Sequence, residues 1–142
     1  MREILYSLGD VAFTKLDKSN VEEFKQFYSA RLKDENTSLY LDYDILKKTI
    51  DNDLSNGSTT FLAYRGEMLI GSLKCDDSKH HISEISHSWN VNLHKLYQHG
   101  GLCYMGRYGI DKMYMTNASV NQGLFLLAVM YAIRRNNCFP IN

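Results

Sequence analysis

Proline is almost missing from this chain: the only one, Pro140, falls just past the last segment with helical spacing. There is also no repeat and no low-complexity stretch that would divide the 142 residues, so a single domain over 1–142 is expected. Cysteine is scarce. Cys75, Cys103 and Cys138 are odd in number, far apart and beside apolar runs, which reads as reduced core thiols of a cytoplasmic protein rather than a disulfide framework or a metal site. An excess of either charge is lacking as well, with Lys plus Arg and Asp plus Glu both at 16. No bulk field draws in nucleic acid or an anionic membrane, and any basic site has to be local. Long apolar runs are absent: the start Met1-Arg2-Glu3-Ile4-Leu5-Tyr6 does not open a signal peptide, and no run reaches membrane-spanning length. The chain carries no Gly-x-Ser-x-Gly elbow, no Walker loop and no Cys/His nucleophile signature.

What is present is strong periodicity. Val11 to Leu16 reads as a first strand. Ser19 and Glu22 have capping-box spacing, and the helix they would start puts Val21, Phe24, Tyr28, Arg31 and Leu32 on one face. A second helix is expected over 43–54, with Asp42 as cap, Leu46, Ile50 and Leu54 four apart, and Gly57 past its end. Thr59 to Tyr64 and Met68 to Cys75 are strand-like and joined by Arg65-Gly66-Glu67, the pattern of an antiparallel hairpin. Spacings of three and four then recur from Ile82, and Val91 to Gln98 reads as a short helix ended by Gly100-Gly101. Strands and helices mixed in one short chain place it in the α/β or α+β class.

The most informative stretch runs from Leu102 to Cys138. Leu102 to Ile110 is an extended run continuing through Met115, and Thr116, Asn117 and Ser119 form a polar turn. An apolar face follows at Val120, Gly123, Leu124, Leu127, Ala128, Tyr131 and Ala132, predicting a helix from Ser119 to about Asn136 with Arg134 and Arg135 in its last turn. A strand, a turn and a helix start make an anion site, because the first helical N–H groups have no intrahelical partner. Gly106 and Gly109 inside the strand mark a kink, serving either a ligand groove or neighbouring packing.

The element order, with that turn between the fourth strand and the next helix, resembles the front part of the GNAT-family N-acyltransferases. Within that superfamily it is most similar to acyl-homoserine-lactone synthases and N-acyl amino acid synthases. Tyr104-Met105-Gly106-Arg107-Tyr108 stands where those enzymes carry Glu-x-Ser/Gly-Arg-hydrophobic, with Tyr104 in place of the acid. Leu93-His94-Lys95-Leu96 and Gly100-Gly101 precede it as the family's short helix does. Phe61 to Lys74 resembles the family's hairpin, and Arg31 lies where its first helix holds an arginine. The resemblance implies a twisted, mostly antiparallel sheet with helices on both faces. It further implies a phosphopantetheine thioester, acyl-CoA or acyl carrier protein, as donor and an amine such as an amino acid as acceptor. Met113, Tyr114 and Met115 would line the pantetheine arm, and Asn117, Ser119, Asn121, Gln122 and Gly123 would form the phosphate turn. Of the family's glycine-rich turn only Gly123 is kept.

Arg107 is a candidate for orienting a carboxylate or acyl carbonyl through its forked donors; the alternative is a structural pair with Asp111 or Glu84. Tyr104 and Tyr108 are candidate hydrogen-bond donors to substrate or, alternatively, core aromatics. Among the histidines, His80, His81, His94 and His99 read as exposed side chains, and His87 is a candidate general base. Direct attack by an amine on a bound thioester needs alignment, donors for the carbonyl and a route for one proton, with no nucleophile motif. Two classes of function stand side by side: an N-acyltransferase, and a non-catalytic GNAT-like module that binds an acyl thioester or a partner chain. The family's fifth strand and final hairpin have no counterpart expected before Asn142. The long strand would then be an open edge, completed by a further segment, another chain or a second copy.

Overall fold

Four consecutive residues of the third strand set the architecture. Phe61 and Ala63 point into one apolar cluster, Leu62 and Tyr64 into another, and all four are buried. A strand apolar on both sides needs a covering layer on each. The computed structural model, which describes residues 3–34, 43–77, 86–87, 90, 102–135 and 139–141, supplies those layers with helices on opposite faces of one sheet.

In chain order the elements are β1 (Tyr6–Leu8), β2 (Val11–Lys15), α1 (Val21–Asp34), α2 (Tyr43–Asp53), β3 (Thr59–Arg65), β4 (Met68–Asp76), β5 (Leu102–Ile110), a 3-10 turn (Lys112–Tyr114), α3 (Ala118–Arg134) and β6 (Phe139–Ile141). Among the described residues six strands form one sheet, in the order in which they occur. Neighbours from β1 to β5 are antiparallel, and β6 is parallel to β5. The fold is mixed α/β, as expected.

The helix α1 starts one residue later than its capping box implies. Ser19 turns its N–H and hydroxyl to Asp17, Glu22 pairs with Lys25, and the carbonyl of Asn20 accepts the first helical bond from Phe24. Asn20 also ties the preceding turn, accepting from Asp17 N–H and donating to the Lys15 carbonyl. An asparagine at that position competes well as a cap. The N-terminal strand β1, for which the sequence offers only three residues, is an addition to the expected elements. The short helix expected over Val91–Gln98, with its glycine stop, and the histidines His80, His81, His94 and His99 lie outside the described residues, as do Asp42 and Cys138.

Two expectations at the C-terminal side are corrected. The extended run stops at Ile110 rather than Met115, because Asp111 takes over the backbone. Its side chain accepts from Met113 N–H, its carbonyl accepts from Tyr114 N–H, and the chain turns. A strand after α3 is also present. Phe139, Pro140 and Ile141 run beside Leu102, Cys103 and Tyr104, so β5 has a parallel neighbour over its first three residues. Proline is tolerated there because, among the described strands, β6 is the last in the sheet order.

The helix α3 buries the face predicted for it: Val120, Gly123, Leu124, Leu127, Ala128, Tyr131 and Ala132. It seats deeply because Gly123 has no side chain. A Cβ at that position would stand 2.0 Å from Cζ of Phe13, itself fully buried. Gly123→Ala is therefore expected to lower stability by about 1–3 kcal/mol through overpacking, despite alanine's better helix propensity. Urea titration checks this, and Phe13→Leu in the same chain should recover part of the loss.

Candidate functional site

The pairing of β4 with β5 is irregular at one place. Ser72 faces Gly109 and Lys74 faces Gly106, so Arg107 and Tyr108 together stand opposite Leu73 alone. This is a β-bulge, and Arg107 takes the strained position in it, at φ +46°. A non-glycine residue in the left-handed region costs roughly 1–2 kcal/mol, so the surroundings must hold it. Ser72 donates its hydroxyl to the Arg107 carbonyl at 2.7 Å. The guanidinium Nε binds Oδ2 of Asp53 at 2.6 Å, and Oδ1 of the same carboxylate accepts from Lys74 Nζ at 2.9 Å.

Asp53, the last residue of α2, is thus clamped between cations from two strands, its side chain only 2% exposed. Among the described residues Arg107 therefore pairs with Asp53 and not with Asp111. Asp111 is occupied by the 3-10 turn, and Glu84 lies outside the described residues. Sequence reasoning missed Asp53 and Lys74. The available signal was Lys74 between the apolar Leu73 and Cys75 of a strand, since a lysine buried there has to find an acid. Among the described residues Arg107 has no further hydrogen-bond partner, and its guanidinium carbon lies 5.7 Å from the centre of the Tyr28 ring.

The bulge hands one side chain to each face of the sheet. Tyr108 goes to the α3 side, where its ring packs on Phe125 at 5.6 Å and its hydroxyl donates to Asn121 Oδ1. Burial pushes its phenol above the ordinary tyrosine range, so it remains a donor at neutral pH. Tyr104 lies on the α1/α2 side with Arg107, and its ring occupies the space over Gly106, where a Cβ would meet Cε1 at 2.6 Å. That close approach explains Gly106. Gly109 has only ordinary contacts around it, the nearest a side-chain carbon of Arg31 at 3.7 Å. Arg31 is buried and borders a cavity of about 600 Å³ between α1 and the β3–β4 turn, beyond the end of β5.

The residues expected to hold the donor are spread over three settings. Met113 and Met115 are exposed in and just after the 3-10 turn, and the Tyr114 hydroxyl accepts from Arg65 at 3.2 Å. Asn117 is the N-cap of α3, its Oδ1 accepting from Ser119 N–H at 2.9 Å and Val120 N–H at 3.3 Å. Two of the N–H groups that an anion would use are therefore already satisfied. Asn121 closes the turn, donating to the carbonyls of Asn117 and Met115, and Gln122 is exposed. Gly123, by contrast, faces Phe13 and the sheet.

Beneath the bulge, on the α3 side, Cys75 and Cys103 are buried free thiols. The Cys75 thiol is held well above the ordinary range by its hydrogen bond with Cys103 and by burial, which makes it a poor nucleophile. His87 is exposed. Among the described residues no group of three His, Cys, Asp or Glu side chains is placed to hold a metal ion, and no helix is long and apolar enough to cross a membrane.

With this geometry in hand, the solved structures that resemble it are informative. A predicted acetyltransferase from Clostridium acetobutylicum, crystallised with acetyl-CoA, superposes with a TM-score of 0.67 at 14% identity, over 92% of this chain and 78% of that one. FeeM, an N-acyl amino acid synthase from uncultured soil microbes, gives 0.66 at 14% identity, over 89% and 67%. A GCN5-related N-acetyltransferase from Ralstonia eutropha JMP134 gives 0.65 at 13% identity, over 92% and 81%. No protein-family model matches the chain, and no curated protein matches it in sequence. What is shared at these identities is architecture: the chain has the fold of the GNAT N-acyltransferases.

The Asp53 cluster can be tested without knowing a substrate. Asp53→Asn leaves Lys74 and Arg107 buried without a counter-charge, and is expected to cost about 3–5 kcal/mol. Asp10→Asn removes the partner of Arg65 from a pair in which both side chains are more than half exposed, and should change stability by at most about 1 kcal/mol. Denaturant midpoints of the two variants give the comparison.

Proposed function

We propose that this chain is an N-acyltransferase domain, or the donor-binding part of one. It would take an acyl group from a phosphopantetheine thioester, carried by coenzyme A or acyl carrier protein, and pass it to an amine such as that of an amino acid. The observation that carries the reading is the bulge of β5 at Arg107 and Tyr108, set between a parallel neighbour strand and the start of α3. The same fold holds acetyl-CoA in the Clostridium protein and serves N-acyl amino acid synthesis in FeeM.

In such a reaction the amine nitrogen attacks the thioester carbonyl, a C–N bond forms, the C–S bond breaks, and the thiol leaves as the amine gives up one proton. Alignment and polarisation of the carbonyl do most of the work. Arg107 suits that role, because Asp53 fixes its Nε and the rest of its planar fork is aimed by a buried anchor. Tyr104, on the same face, is the second donor. The arm would lie along β5 toward Met113, Tyr114 and Met115, and its phosphate would reach the first turn of α3 at Asn117, Ser119, Asn121 and Gln122, with Gly123 behind them. To use the N–H groups there, the phosphate has to displace the Asn117 side chain.

That cap favours a second reading, a non-catalytic module with the same groove, because a phosphate turn already satisfied by its own asparagine binds anions less readily. Titration with acyl-coenzyme A and with an acyl-pantetheine, followed by amide chemical shifts, tests the groove itself. Shifts should cluster from Met105 to Gly123; shifts confined to the β3–β4 hairpin, or none at millimolar ligand, would sink the donor site. Turnover with added amino acids then separates the two readings. If it occurs, Arg107→Lys should lose most of it while the melting temperature moves little, since lysine keeps the charge opposite Asp53 and loses the fork.

A further inference from the structure

Between the start of β1 and the C-terminal half of α3 there is a groove of about 370 Å³. It is walled by Leu5, Tyr6, Phe61, Leu127, Met130 and Tyr131, with Arg134 and Arg135 also lining it. Its floor reaches the core. Phe61, Leu127 and Tyr131 belong to the buried cluster under α3, and the rings of Phe61 and Tyr131 meet edge to face at 6.4 Å. Leu5 and Met130, exposed at 42% and 38%, are its open sides. Arg107 and Asp53 lie on the other face of the sheet, so this groove is separate from the site described above.

The two arginines differ in what they have left to give. Arg135 is committed: its Nε binds Asp77 Oδ2 at 2.6 Å, and its guanidinium carbon lies 5.2 Å from the centre of the Tyr131 ring. Its charge is offset by that carboxylate. Its backbone N–H turns back on the carbonyls of Tyr131 and Ile133, which satisfies part of the negative end of α3. Arg134 is exposed, and among the described residues it has no hydrogen-bond or ion-pair partner. None of the described residues lining the groove is acidic. An apolar groove thus carries one uncompensated positive charge.

We propose that this groove binds an aliphatic chain ending in a carboxylate, the chain lying on Phe61 and Leu127 and the carboxylate at Arg134. A concave apolar site with a single charged group to fix orientation is the common form of a small-molecule site, and the volume falls within the usual range of about 300–1,000 Å³. The charge chooses the head group. An ammonium would be repelled by Arg134, whereas a carboxylate matches the planar fork of a guanidinium. The walls choose the tail, because a chain laid on them removes apolar surface of both partners from water. Two sources supply this chemistry: a free fatty acid, and an N-acyl amino acid, which is also a chain with a carboxylate at its end. The groove does not rest on the acyltransferase reading.

Calorimetric titration of the whole chain with a series of straight-chain carboxylates, kept below their micelle concentrations, tests it. From hexanoate to decanoate the affinity should rise by roughly fourfold for each added methylene. Decyltrimethylammonium, with the same tail and the opposite charge, should bind more weakly than decanoate. Arg134→Gln should weaken octanoate by about fivefold, the upper end for an exposed charge pair, and leave octan-1-ol unchanged. Leu5→Asp, which puts a negative charge at the open side, should abolish decanoate binding. Phe125→Ser, on the β5 flank of α3 where Phe125 packs on Tyr108, should keep it. Methyl resonances of the wild type locate the ligand without any variant: those of Leu5, Leu127 and Met130 should shift together. Tighter binding of N-octanoylglycine than of decanoate assigns the site to N-acyl amino acids and the reverse to free fatty acids; either result supports the groove. An affinity independent of chain length, equal binding of the cationic and anionic decyl compounds, or decanoate binding that survives Leu5→Asp would each overturn the proposal. So would methyl shifts at Val129 and Ile133 on the outer face of α3 in place of Leu5 and Leu127.

Discussion

One carboxylate, that of Asp53, holds together the part of this molecule where chemistry is expected. It ends α2, grips Lys74 on β4, and fixes Arg107 in a bulge of β5. Remove it, and two cations remain in a region from which water has been excluded. The cost of an uncompensated buried charge exceeds the cost of the left-handed backbone at Arg107. The balance therefore favours the strained backbone. The ion cluster and the bulge are one device, with the electrostatics selecting a conformation that residue 107 would otherwise avoid.

The bulge in turn connects the two halves of the fold. In a regular strand Arg107 and Tyr108 would still alternate, but a single extra residue shifts every side chain beyond it to the other face. That shift lets Ile110 reach the α3 core while Gly109 lies toward Arg31 on the α1 side. Tyr108 then latches α3 through Asn121, while Arg107 latches α2 through Asp53. Adjacent residues of one strand thus fix helices on opposite faces of the sheet. The first turn of α3 is held by this latch and by Asn117, leaving it a tightly capped helix start.

Much of this was legible from periodicity. The seven residues assigned to the inner face of α3 are its buried residues, and the hairpin of β3 and β4 lies within a residue of its expected bounds. Both are long, regular patterns whose alternatives bury less apolar surface. The errors arose where one side chain outcompeted a pattern. Asp111 ended β5 by taking two backbone donors, Asn20 displaced Ser19 as the start of α1, and Asp53 took Arg107 from the end of a helix on the same face of the sheet. The last of these pairs residues more than fifty positions apart, which no local spacing reveals. Strand β6 escaped notice because three residues containing a proline carry little strand signal, and its pairing is supplied by β5 rather than by its own composition.

Because strands sit in the sheet in the order in which they occur in the chain, no strand has to be inserted between two that are already paired. Each one adds to an edge made by its predecessor. A chain leaving the ribosome can therefore lay down its sheet from one side to the other, without waiting for a distant segment to complete an earlier pair. The long connections, through α1 and α2 and later through α3, each cover a face of strands already in place or about to be. The exception in direction is the last step, the parallel pairing of Phe139–Ile141 with Leu102–Tyr104. It requires the whole of α3 to have crossed the sheet first, so among the described strand pairs the one flanking the candidate site forms after all the others.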